Sequence, residues 1–217
     1  MNRAIRITAS LFGIFAGFGG IEHGYFEILQ GNTRPDSLMI SSIGPPCEMD
    51  KVWNACEPAM TILPNLLATG ILAIILGVIT IIWSAAFVQR KYGGGVLILL
   101  SIGLLLLGGG IFPPLIGIFG GAVGTRIHAP LTWWRAHLTG KPTCFLAKLW
   151  PWTIIAFFSW LFGQLVIGAL FPEFMLKNAL LSPLLILGLL ILTVLTAFAH
   201  DIHVGERVSA AWGKTFR

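Results

Sequence analysis

Charge is what this chain has least of. Only 11% of its residues are Asp, Glu, Lys or Arg, where a soluble domain carries roughly 25%. A surface that meets water on every side cannot be built from so few ionisable groups, so most of the exterior is expected to face lipid. Cysteine is scarce too, with three in 217 residues, which excludes a small scaffold held mainly by disulfides. The net charge of +5 is not gathered into any long basic block, so nucleic acid is not an expected partner. The phosphate-binding P-loop, the dinucleotide fingerprint, the nucleophile elbow and the H-E-x-x-H zinc motif are all missing. Their absence weakens an enzyme reading without excluding one, and no cofactor is expected.

What is present is apolar: 56% of the residues are hydrophobic and the mean hydropathy is +0.85. A single integral membrane domain over 1–217 is expected, with no room for a separate soluble enzyme domain. A crossing needs about 20 mainly apolar residues, and five segments qualify or come close: 7–29, 61–88, 94–111, 149–171 and 179–199. Between the third and fourth lies "FPPLIGIFGGAVGTRI", broken by Pro113, Pro114 and several glycines. At about 13 apolar residues it is short for a full crossing.

Charge placement assigns the sides. Arg3 and Arg6 precede the first span, and Arg90 and Lys91 end the second. Residues 126–148 hold Arg126, Arg135, Lys141 and Lys148 and no acid, which requires the proline–glycine segment to return across the membrane. The cytoplasmic side then carries eleven bases against two acids and the outer side three bases against seven acids, net +9 and −4. The expected fold is an all-α polytopic bundle in the cell membrane. It has five full spans and a broken returning segment, about six crossings, with both termini and the tail 200–217 cytoplasmic. Trp83, Trp133, Trp134, Trp150, Trp152 and Trp212 fall near the expected inner interface, where amphipathic rings anchor, and "PLTWWRAHL" reads as a short interfacial helix. A basic start before an apolar run also fits a signal peptide, but no A-x-A-like site follows, and a retained helix is expected.

The outer loop, 30–60, contains Cys47 and Cys56 around "EMDKVWNA". On an oxidising side these two are expected to form a structural disulfide, with free thiols or a metal site as alternatives. Cys144 falls on the reducing side.

The stretch "GGIEHGYFEIL" loads the end of the first span with Glu22, His23 and Glu27. At 1.5 Å per residue Glu22 lies roughly 22 Å from Ile7, in the outer third of the hydrocarbon. His23 and Glu27, four apart, share a face, and Glu22 points about 100° away from His23. Asn65, Gln164, Ser182 and the break Gly108, Gly109, Gly110 with Pro113 and Pro114 fall at a similar depth. Polar groups there are costly without a partner or water, and irregular backbone is tolerated only when buried or lining a cavity. An outward-opening polar pocket is one reading, with Glu22 a proton or cation site. Scattered structural roles are the other: Glu22 reaching headgroups, Asn65 starting a helix, Gln164 bonding between helices.

The pairs Gly13/Gly17, Gly20/Gly24, Gly117/Gly121 and Gly120/Gly124 are small-residue motifs for close helix packing, within the chain, in a homo-oligomer or with another membrane protein. "GGGIFPP" reads instead as a hairpin tip or half-helix pair of the kind found at transporter sites. His128, His137, His200 and His203 show no metal-selecting spacing, and no metal is expected. Three functions stay open, in this order: a transporter or channel-like protein for an ion or small solute, a scaffold subunit, and a lipid- or quinone-modifying enzyme with Glu22 or His23 as acid–base group.

Overall fold

The computed structural model describes residues 1–41, 57–138 and 140–215, with backbone alone for Lys141 and from residue 207 onward. Cys47 and Cys56 lie outside the described residues. The chain is mostly helical. Among the described residues four helices are long and apolar enough to cross a membrane: α1 (Arg3–Leu29), α2 (Leu66–Ala86), α6 (Lys141–Leu170) and α8 (Leu181–Thr215). Shorter helices are α3 (Gly93–Leu106), α4 (Phe112–Gly124), α5 (Thr132–His137) and α7 (Pro172–Lys177). Two strands, β1 (Met39–Ser41) and β2 (Pro58–Met60), pair antiparallel within the loop that joins α1 to α2.

Glycine sets the packing of the first four long and short apolar helices. α1 and α2 run antiparallel in seven-residue steps, Ser10 against Ser84, Gly17 against Gly77 and Gly24 against Gly70. A β-carbon on Gly17 would lie 2.6 Å from the Gly77 carbonyl oxygen, and one on Gly77 the same distance from that of Gly17. The backbones therefore touch, which only small residues allow. α4 is small on two faces: Gly117 and Gly120 meet Ala16 and Phe12 of α1, and Gly121 meets the Gly94 backbone of α3.

α3 and α4 form a hairpin beside α1. They are 14 and 13 residues long, about 20 Å each, shorter than a hydrocarbon layer of about 30 Å. Where the sequence leads one to expect a full third span, the helix stops at Leu106, because Gly108 and Gly110 adopt φ of +83° and +80°. The following segment does return to the end at which α1 begins: the Asn2 N–H donates to Ile127 O at 2.8 Å, and the Asn2 side chain donates to Arg126 O and Ala129 O.

α6 and α8 make a separate pair. Thr153 and Thr196 share a hydroxyl hydrogen bond of 2.8 Å between them. The pair meets α1 through aromatic rings, Phe12 on Phe157 at 5.0 Å and Phe15 on Phe158 at 6.2 Å between centroids. α6 begins at Lys141 and continues through Pro151, so the basic stretch expected as loop to Lys148 is helical in its last turns. α8 likewise continues to Thr215, through most of the expected tail. The expected "WWRAH" helix is present as α5, with Trp134 packed on Phe198 of α8 at 4.4 Å.

Candidate functional site

The site is laid down by the face of α1 that meets the α3–α4 hairpin. Ala9, Gly13, Ala16, Gly20, His23 and Glu27 follow one another at alternating steps of four and three, one stripe along a helix. The small members let the hairpin close in: a β-carbon on Gly13 would meet Leu97, and one on Gly20 would meet Leu104. The stripe then ends in an imidazole and a carboxylate, and there the hairpin's connection crosses it.

That connection is held from three directions. The Gly109 N–H donates to Leu104 O at 2.7 Å, closing the end of α3. The Gly108 N–H donates to Met60 O of β2 at 2.8 Å, and the Ile62 N–H to Leu106 O at 3.1 Å. Two glycines are needed here for two reasons at once. Their positive φ suits only a residue without a β-carbon, and the added carbon would have no room. At Gly108 it would overlap both Glu27 carboxylate oxygens, and at Gly110 the Nε2 of His23. Pro113 and Pro114 sit in the first turn of α4, where a missing N–H breaks no helical hydrogen bond. Pro113 packs where Gly19 lacks a side chain.

Glu27 is fully buried and His23 is 4% exposed. Among the described residues neither oxygen of Glu27 nor the Nδ1 of His23 has a hydrogen-bond partner. Native buried polar groups are nearly always paired, and an exception requires a reason. Chemically, a carboxyl and an imidazole one helical turn apart can hold a proton or ligate a cation beneath a cover of glycine backbone.

Glu22 points away from this pair and is exposed. It lies near Glu57, just before β2; burial first, and then the Glu22 charge, push Glu57 up to about 7. Asn65 caps α2, its side-chain oxygen accepting the Ala68 N–H at 3.0 Å, while its amide donates to Asn32. Gln164 accepts from the Ser182 hydroxyl between α6 and α8. The structure thus gathers His23, Glu27 and the Gly108–Gly110 break, sets Glu22 beside Glu57, and places Asn65 and Gln164 in other contacts.

Two carboxylates matter more than sequence reasoning shows. Glu57 is one. Asp201 of α8 is the other, buried and accepting the Ala4 and Ile5 N–H groups at 3.0 and 2.9 Å. It caps α1 from another helix. The first turn of α1 has no acid, and in the structure Asn2 supplies no side-chain cap, so Asp201 takes that role.

The histidines expected at the other end are dispersed. His200 Nδ1 is 3.7 Å from Asp201, His128 hydrogen-bonds Gln89 O, and His137 stacks on Trp133. Among the described residues no three His, Cys, Asp or Glu gather as a metal site. No protein-family model, curated protein or solved structure matches the chain.

Proposed function

We propose that this multi-pass membrane protein takes up a proton or small cation at Glu27 and His23, beneath the Gly108–Gly110 connection, as part of a transport or channel-like activity. One observation carries the reading: a fully buried Glu27 whose two oxygens have no described hydrogen-bond partner. An uncompensated charge inside a bilayer costs at least about 2.5 kcal/mol. A neutral side chain of the same size would remove that cost, so a carboxyl there is supported best by a reversible occupant.

The distribution of bases supports a cytoplasmic start for α1 and an outer position for the site. On that orientation the connection between α3 and α4 is the lid of an outward-facing binding place. Glu22 and Glu57, beside one another near its edge, add negative charge that would draw cations.

A second reading, a scaffold subunit, is supported by Gly163 of α6 and Gly188 of α8. Beyond their own helix backbone, neither has an atom of another described residue within 4 Å of where a β-carbon would sit. They leave notches at which a partner helix could approach.

The test is flux in reconstituted vesicles, with a pH-sensitive dye inside and a panel of alkali cations outside. Flux of one ion above empty vesicles is expected. No flux for any ion or proton gradient would overturn the transport reading and favour the scaffold.

A further inference from the structure

We propose that a cavity at the opposite end of α1 binds the phosphate headgroup of an anionic phospholipid. The cavity lies between α1 and α2 and has a volume of about 180 Å³. Arg6, Ser10 and Gln89 form its polar side, and Ile7, Leu11 and Val88 its aliphatic side. No carboxylate lines it.

Ser10 spends its hydroxyl hydrogen on Ser84 O at 2.7 Å, and the donors left for an anion are those of Arg6 and Gln89. No hydrogen bond or ion pair joins the half-buried Arg6 guanidinium to another described residue. Gln89 spends one amide hydrogen on Ala86 O at 2.7 Å and retains the other. A guanidinium presents a planar fork of donors that matches two phosphate oxygens. Among the described residues no ion pair joins Arg6 to Asp201, whose oxygens accept the Ala4 and Ile5 N–H groups.

The lining favours a lipid over free phosphate. Half of the six side chains named are aliphatic, and they suit the glycerol and first methylenes of an amphiphile. The depth agrees: Trp83, one turn from this level on α2, donates its indole N–H to Gly93 O at 3.0 Å, the posture of an interfacial ring. Arg3, Arg90, Lys91 and Arg126 surround the same end and add attraction for an anionic surface. The inference needs only that the chain lies in a bilayer and does not depend on ion uptake at Glu27.

The experiment is native mass spectrometry of the purified full chain with phosphatidylglycerol, phosphatidylcholine or inorganic phosphate added. One phosphatidylglycerol is expected to be retained in preference to phosphatidylcholine. Arg6→Gln is expected to weaken it about fivefold, while Arg34→Gln, exposed beyond the opposite end of α1, keeps it. Ala85→Phe, which fills the cavity from its α2 wall, is expected to weaken it similarly and serves if Arg6→Gln does not fold. Equal retention in both cavity variants would overturn the site. Displacement of the lipid by inorganic phosphate alone would overturn the lipid assignment in favour of a free anion.

Discussion

The two halves of this molecule are held together by opposite means. In the α1–α4 half, glycines bring backbones into contact and side chains are nearly dispensed with: Gly17 on Gly77, Gly24 on Gly70, Gly94 on Gly121. Around the α6–α8 pair large side chains do the packing, and Phe157, Leu161, Ile186 and Leu190 form one cluster with Phe12. A β-carbon on Gly163 or Gly188 would meet no described residue of a neighbouring helix. Lipid tails are as apolar as leucine, so no hydrophobic force joins helices in a membrane, and close packing and hydrogen bonds must do it. A glycine-packed half is therefore rigid and intolerant of added atoms. It is also where the unpartnered carboxyl lies, and a rigid frame is what holds a costly group in place.

The sharpest way to break the comparison is to add atoms to each half. Gly17→Leu meets the Gly77 carbonyl and is expected to lower stability by about 3 kcal/mol or prevent folding. Gly163→Leu is expected to change stability by less than about 0.5 kcal/mol. Thermal unfolding of the two variants in detergent checks the contrast, and equal losses would dissolve it. Next in size is the bond between the halves. Asp201→Ala removes the acceptor of two α1 N–H groups, an expected loss of about 2 kcal/mol, visible first as amide exchange at the start of α1. Unchanged protection there would mean that Asp201 does not anchor α8 to α1.

A further test lies in the pH dependence of the loop that joins α1 to α2. Glu57 is raised from 4.5 to about 7, by burial and by Glu22. The folded chain then holds that proton more tightly than the unfolded chain. Its stabilising contribution is full below about 4.5 and is lost as pH rises through about 7. Unfolding temperature is expected to fall over that window, and Glu57→Gln to flatten the slope. A native-like slope in the variant would assign it to other groups.

These contrasts were legible in the sequence to different depths. Membrane residence follows from composition alone, and the His23–Glu27 face from helical periodicity. The break at Gly108–Gly110 is visible as glycine followed by Pro113 and Pro114. That it lands on Glu27 is not visible, since this depends on α3 stopping at Leu106 and on a strand bond from Met60. The length of α3 misleads for a physical reason: "LLLLGGGIF" stays apolar past the helix end, and hydropathy does not register positive φ. Asn65 and Gln164 show the limit of reasoning by depth. Residues at one height can face different neighbours, here Asn32 and Ser182. Asp201 is invisible to local patterns because its partners are 196 and 197 positions away.

The central claim, that the buried carboxyl of Glu27 is the occupied group of an ion site, is tested most directly by comparing native and Glu27→Gln protein in the same flux vesicles. The account predicts that Glu27→Gln lowers flux about tenfold or more while its unfolding temperature is unchanged or higher, because a buried charge-bearing group has been made neutral. Equal flux from the two proteins, above that of empty vesicles, would contradict it.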